Sequence, residues 1–356
     1  LGNEDPAALE GVDLVVKGPG VPPANPVVAA ARERGIPVWS ELELGYRLLP
    51  DDVRIVGVTG TKGKTTTVRL LGEMFSSAGR DVTLAGNEHT PVSELRDPQG
   101  DLVLELSSFA LADVDTFACE VAVLLNLEPD HLNWHGTFEH YRDSKLRIFE
   151  RARAKVAPRG FGVEGAIEFA GDDPLPAEPA MPGAHNRENA AAATAAARAA
   201  GVGDDAIAAA LRSFAGVPHR LELVRELHGV RYVNDSKATN TAAARRGVEA
   251  YPDPLHVIFG GSLKGEDFVP FARELPANIA TIHLIGAATD ELAAALDAAG
   301  RAYDRDGDLE TAVRHAQSVA QPGEIVLLSP ACASFDQYEN FEQRGEAFRS
   351  LVESLA

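Results

Sequence analysis

VRIVGVTGTKGKTTTVRLLGEMFSSA, residues 53–78, reads as a buried strand running through a glycine-rich turn into a helix. Val53 to Val58 is the apolar strand. Val68, Leu71, Met74 and Phe75 then repeat at helical spacing between Thr66 and Ala78, and Gly79 supplies a stop. In the turn, Gly57-Val-Thr-Gly-Thr-Lys-Gly-Lys-Thr-Thr-Thr67, glycines let backbone N–H groups wrap a phosphate, and the helix N-terminus adds positive dipole. Gly60, Thr61, Lys62, Gly63 and Thr66 form the cradle, Lys64 reaches the outer phosphates, and the Thr65 hydroxyl reaches a Mg²⁺ ion. Val58 stands at the first glycine of a strict G-x4-GK[ST] loop, so the form is a variant one. The context predicts ATP as ligand.

Outward from this unit, strand-like and helical runs alternate, the pattern of parallel α/β sheets. Upstream, a strand at Val12–Lys17, the Gly18-Pro19-Gly20 turn, a helix at Ala29–Arg34 and an extended Pro37–Trp39 form a small segment closed by the linker Pro50-Asp51-Asp52. Downstream, Leu102–Leu106 and Val121–Leu125 are apolar enough to be buried on both faces, and Asn189–Ala200 is an alanine-rich helix. Residues 152–184, rich in proline and glycine, fit no element. Strands at Val230–Val233, Leu255–Phe259, Thr281–Ile285 and Ile325–Leu328 belong to a further unit beginning near Val217. The expected domains are 1–50, 51–216 and 217–356. The chain opens on Leu1 inside what reads as a domain, so an incomplete first domain is expected.

The 356 residues exceed one compact core, and 45% hydrophobic with 24% charged is a soluble globular composition. No apolar run approaches a membrane span, and no secretion signal opens the chain. Cys119 and Cys332 are far apart and form no metal or redox spacing, so a reducing cytoplasm is the default. A net charge of −20 without a basic segment argues against nucleic acid as partner.

The unusual residue clusters follow the strands, at the ends where open α/β sheets bind ligands; their split between two domains predicts one site in a cleft. Glu105, ahead of Leu106-Ser107-Ser108-Phe109, is a buried carboxylate needing a partner: a structural group or a ligand to a hard cation. His131, in Asn126-Leu-Glu-Pro-Asp130-His131, reads without context as structural. Lys145, in Tyr141-Arg-Asp-Ser-Lys145-Leu-Arg-Ile-Phe149, reads by pattern alone as a solvated lysine on an amphipathic helix. Asn186 and Asn189 lie three apart before the alanine-rich helix and serve equally well as caps. Arg220 suits a phosphate contact, and Cys332, with no histidine near it in sequence, is a packing residue.

Taken together, Gly-Thr-x-Gly-Lys-Thr, the Asp-His pair, Y-R-x-x-K-L-R-I, HNxxN, NDSKATN at 234–240, GGSLKGEDF at 260–268 and SPACASFDQYENFEQRG at 329–345 resemble the Mur ligases. The loop alone is shared with folylpolyglutamate synthetases; NDSKATN and the carboxyl-terminal signature resemble the D-glutamate-adding branch. The resemblance implies a central P-loop ATPase-like parallel-sheet domain between a partial Rossmann-like first domain and a Rossmann-like last one. It implies ligation of D-glutamate to UDP-N-acetylmuramoyl-L-alanine through an acyl phosphate, with the last domain closing over the central one, by a cytoplasmic monomer using ATP and Mg²⁺ at two sites. Glu105 and His131 would hold metal, as would Lys145 after CO₂ converts it to a carbamate. Asn186, Asn189, Arg220, Asp235 and Lys237 would serve the nucleotide. Gly20, Asn87, Ser107, Thr239, Lys264, Ser334 and Phe341 would serve the other substrates.

The chain departs from the family at Gly18-Pro19-Gly20, where Ser-Pro-Gly is usual, at Gly86-Asn87-Glu88-His89-Thr90, at Lys62 where Asn is common, and in the short 152–184 segment. The alternatives are a related ligase for L-glutamate, a folylpolyglutamate synthetase, and a catalytically impaired nucleotide-binding module.

Overall fold

A computed structural model describes residues 5–87, 89–181 and 183–356; Glu88, quoted above beside Asn87, and residues 1–4 and 182 lie outside them. The chain forms two compact units, Leu1–Phe214 and Ala215–Ala356.

The first unit opens with strand β1 (Val15–Lys17), helix α1 (Pro26–Glu33), strand β2 (Val38–Ser40) and helix α2 (Glu41–Leu48). Asn25 caps α1 ahead of Pro26, whose missing N–H is no loss at that position, and Ser40 caps α2. The two strands pair in parallel. A loop at Asp115–Phe117 holds this segment through a buried carboxylate. Glu43, fully buried, accepts the backbone N–H groups of Asp115, Thr116 and Phe117, the Thr116 hydroxyl at 2.6 Å and Arg47 Nε at 2.7 Å. Those donors outweigh burial and hold its pKa down at about 2. On the same helix Gly45 permits close approach, because a Cβ there would lie 2.6 Å from the Ser93 nitrogen.

The central sheet runs from β3 (Arg54–Thr59) through helix α3 (Lys64–Ser77), β4 (Val82–Gly86), β5 (Asp101–Glu105), helix α4 (Ser108–Leu111) and β6 (Val121–Leu124). Helices α5 (Leu132–His135) and α6 (Phe138–Leu146), strands β7 (Ala154–Pro158) and β8 (Ile167–Phe169), and helices α7 (Ala184–Ala199) and α8 (Asp204–Ser213) complete it. The strand order is β4-β5-β3-β6-β7-β8, and every pairing is parallel. Val56 and Val58 pack with α3, α7 and α8 on one face, while Ile55, Leu102, Leu104 and Leu124 join the α2 side on the other. Burial on both faces explains why these strands read as continuous apolar runs. β7 and β8 occupy the stretch that fitted no element: they are short, they end the sheet, and β8 buries only Phe169.

The second unit contains β9 (Glu222–Leu227), β10 (Val230–Asn234), helix α9 (Thr241–Glu249), β11 (Leu255–Gly260), helix α10 (Phe268–Arg273) and β12 (Ile279–Ile285). Helix α11 (Thr289–Ala298), β13 (Asp304–Gly307), helix α12 (Leu309–Val319), β14 (Ile325–Ala331) and helix α13 (Phe341–Ser354) follow. Its sheet, β13-β12-β11-β14-β10-β9, is parallel except for the β9–β10 hairpin. Helices α9, α10 and α11 cover one face and α12 and α13 the other. Among the described residues no helix is long and apolar enough to cross a membrane.

Candidate active site

In the first unit the chain enters the sheet at β3 and then places strands on both sides of it, so the ends of β5, β3 and β6 adjoin one another. This is the switch point where such sheets bind ligands. Past β3, Gly63 adopts φ +84°, and a Cβ there would collide with the side-chain oxygen of Asn189 on α7. Glycine is required twice over, by conformation and by contact. Helix α3 begins at Lys64 with no side-chain cap, which leaves its first N–H groups available to an anion. Thr65 and Thr66 are buried at that end. Lys64 Nζ donates to Gly60 O at 2.9 Å and Thr61 O at 3.0 Å.

The β6 end is laced to this loop. The Lys62 amide donates to Asn126 Oδ1 at 2.9 Å, and Lys62 Nζ meets Glu128 at 2.6 Å. Thr61 Oγ1 accepts the Glu128 amide at 3.0 Å and lies 2.8 Å from the Tyr141 hydroxyl. Tyr141 belongs to α6, which also delivers Lys145. That lysine is not solvated. It is 2% exposed, with Nζ 2.8 Å from Gly60 O, 3.5 Å from Thr59 Oγ1 and 4.9 Å from the Tyr141 ring centre. Burial, reinforced by the Lys64 charge and opposed by Asp130, brings its pKa down to about 7. A large fraction is therefore the neutral, nucleophilic amine at physiological pH.

At the β5 end Glu105 is 2% exposed, and its Oε2 has no hydrogen-bond partner among the described residues. Such an orphaned oxygen is costly unless a cation or proton reaches it. Asn87 stands beside it: its N–H donates to Glu105 O at 2.9 Å and its Nδ2 lies 3.5 Å from Glu105 Oε1. Ser107 caps α4 by accepting the Ala110 N–H at 3.1 Å. His131 sits half-exposed at φ +52°, its ring 4.8 Å from that of Phe109. Asn186 and Asn189 are not caps, since α7 begins earlier, at Ala184 after Gly183. Gly20 lies in the exposed turn after β1.

The second unit gathers its own signature loops. Asp235 is buried, accepting the Ser329 hydroxyl at 2.8 Å and the Leu221 amide at 3.3 Å, and burial raises its pKa to about 7. Lys237 Nζ lies 5.7 Å from the Phe341 ring centre. Ser334 is buried, Thr239 and Arg220 are half-buried and Lys264 is exposed. Cys332 is buried, with its thiol pushed up to about 12 by desolvation, as suits a packing residue.

Family models match both units: the Mur ligase middle domain over residues 58–163 and the Mur ligase glutamate ligase domain over 219–332. Over its whole length the chain is 41% identical to the UDP-N-acetylmuramoylalanine–D-glutamate ligase of Pelotomaculum thermopropionicum, covering 86% of that protein. The chain belongs to the Mur ligase family. The ligase of the same description from Acidobacterium capsulatum is 40% identical, over 96% of this chain and 82% of that protein. The crystal structure of the UDP-N-acetylmuramate–alanine ligase of Thermotoga maritima shares the fold, with a TM-score of 0.60 at 19% identity, covering 96% of this chain and 85% of that one.

Within this Mur ligase, two residues that the sequence reading left aside are built into the candidate sites. His135 is buried between Ser108 Oγ, 2.9 Å from its Nε2, and His140 Nδ1, 3.2 Å from its Nδ1. Burial and the neighbouring cations push its pKa to about 4, so it is neutral. Arg344 is 1% exposed and ties three loops together, donating to Ser236 O at 2.9 Å, Cys332 O at 3.1 Å and Ala333 O at 3.1 Å, and lying 3.4 Å from Gly260 O. Its spacing with Phe348 and Val352 on the buried side of α13 was the available signal.

Proposed function

We propose that this chain joins the amine of D-glutamate to the terminal carboxylate of UDP-N-acetylmuramoyl-L-alanine, cleaving ATP to ADP and phosphate, as a cytoplasmic monomer in peptidoglycan precursor synthesis. The observation that carries this reading is Lys145, a buried lysine with a lowered pKa whose amine touches the phosphate loop. The description shared by the two relatives supports the choice of amino acid.

In this reading, residues 1–50 serve the UDP substrate, 51–216 the nucleotide and 217–356 the amino acid. The amides from Gly60 to Thr66 cradle the ATP phosphates, with Lys64 turning from its loop carbonyls toward the γ-phosphate. Asn186, Asn189, Arg220, Asp235 and Lys237 serve the nucleotide. Gly20, Asn87 and Ser107 serve the acceptor, and Thr239, Lys264, Ser334 and Phe341 the glutamate. The acceptor carboxylate oxygen attacks the γ-phosphorus and ADP leaves. The glutamate amine then attacks the acyl carbon, loses a proton, and phosphate departs.

Mg²⁺ at two sites is the metal this chemistry calls for, and the orphaned, buried Glu105 oxygen at the end of β5 fits a hard cation. Thr65, Glu105, His131 and Lys145 as a carbamate would hold it, and it would neutralise phosphate charge. For the carbamate, the neutral amine forms a bond to the carbon of CO₂ and releases a proton, leaving a carboxylate in place of a cation.

Incubation with ATP, Mg²⁺ and UDP-N-acetylmuramoyl-L-alanine, followed by mass spectrometry, tests the substrate assignment. A product heavier by one glutamate residue with D-glutamate, and none with L-glutamate, is the expected result. The same product from L-glutamate at equal rate would overturn it.

A further inference from the structure

In the second unit the carboxylate of Asp306, on edge strand β13, lies between two imidazoles. Its Oδ2 is 2.7 Å from His283 Nδ1 on β12, and its Oδ1 is 2.9 Å from His315 Nδ1 on α12. One ligand atom from each of the three residues lies within 4.8 Å of the others. We propose that His283, Asp306 and His315 form a binding site for a divalent transition metal such as Zn²⁺, separate from the ligation chemistry, which clamps β13 to β12 and α12.

Three observations carry this. The first is the donor set: two imidazole nitrogens and one carboxylate suit a borderline ion such as Zn²⁺ better than Mg²⁺, which prefers oxygen. The second is the support behind His283. Its ring is wholly buried, and its other nitrogen, Nε2, is 2.8 Å from Thr281 Oγ1. That hydroxyl is 2.8 Å from His256 Nδ1, and His256 Nε2 is 2.8 Å from Glu324. A hydrogen-bonded chain of this kind fixes the tautomer and orientation of a ligating imidazole. The third is access and need. His315 is 38% exposed, giving the ion a way in, while β13 contributes no residue to the buried core. An edge strand so weakly anchored gains most from a cross-link.

On binding, each Nδ1 gives its lone pair and carries its proton at Nε2 instead. His283 then donates to Thr281 Oγ1, His315 donates to solvent, Asp306 gives one oxygen, and water fills the remaining position.

The test is equilibrium dialysis of the metal-stripped full chain against Zn²⁺ in excess Mg²⁺, with bound metal counted and Co²⁺ absorption recorded in parallel. His315→Gln keeps a hydrogen-bonding group for Asp306, and Asp306→Asn keeps the volume. Each is expected to lose one equivalent of Zn²⁺ and the corresponding visible Co²⁺ bands. His140→Gln, on α6 of the first unit, is expected to retain both. Zn²⁺ should raise the melting temperature of the unmodified chain and leave that of His315→Gln unmoved. Equal metal content and unchanged Co²⁺ spectra in the unmodified chain and in His315→Gln would overturn the proposal, the triad then being a hydrogen-bonded clamp alone. A variant that melts normally without metal yet binds one equivalent less supports it.

Discussion

Replacing Lys145 with methionine should make the first unit more stable at pH 7 while abolishing ligation. Burial lowers the lysine from 10.5 to about 7. At about 1.36 kcal/mol per pKa unit, the protonation equilibrium costs the folded chain about 4 kcal/mol at pH 7. Methionine has a similar length, keeps the packing against Tyr141 and carries no charge to bury. It forfeits the bond to Gly60 O, worth about 1 kcal/mol. The net expectation is a gain on the order of 3 kcal/mol. The sign with pH follows from linkage: below pH 7 lysine is protonated in both states and the penalty is full. Between about 7 and 10.5 the unfolded chain binds more protons, so the unmodified protein gains stability as pH rises and the advantage of the variant fades. Both tryptophans, Trp39 and Trp134, lie in the first unit, so urea unfolding followed by their fluorescence reports on that unit alone. CO₂-depleted buffer keeps the amine unmodified. A methionine variant less stable at pH 7, or a stability difference that does not change between pH 7 and 10, would refute the reasoning.

Three other consequences are open to measurement. Glu43→Gln should destabilise the first unit by about 3 kcal/mol, since the carboxylate is held near 2 against an ordinary 4.5; the same tryptophan signal should show native stability intact above pH 4.5 and falling as pH drops toward 2. Arg344→Met leaves the carbonyls of Ser236, Cys332 and Ala333 without their donor. It should raise KM for D-glutamate roughly tenfold, and amide exchange in those loops should rise at a cost of about 3 kcal/mol. Gly63→Ala forces a left-handed φ on a side chain that also meets Asn189; the strain should cost the fold about 1–3 kcal/mol, and calorimetry should show both a lowered melting temperature and weakened ATP binding.

What the sequence disclosed followed from how local each signal is. The strand, turn and helix of residues 53–78 were legible because apolar runs and glycines act over a few residues, and β3 and α3 fall within two residues of that reading. β7 and β8 were not, because short strands ending a sheet have no alternation to display. Lys145 shows the limit most clearly. Its helix carries a charged pattern, and only the fold reveals that this lysine faces Gly60 rather than solvent. Glu43 was equally opaque: its five donors come from its own helix and from residues more than seventy positions away. The strings NDSKATN and SPACAS drew attention to the loops of the second unit, yet the arginine that binds those loops together lies on the following helix.

The most direct test is phosphate release from ATP in the presence of UDP-N-acetylmuramoyl-L-alanine, with D-glutamate, L-glutamate or no amino acid. Release that requires D-glutamate, is lost in Lys145→Ala and returns when a short carboxylate is added is the predicted result. Release at the same rate without amino acid, or an undiminished rate in Lys145→Ala, would contradict it.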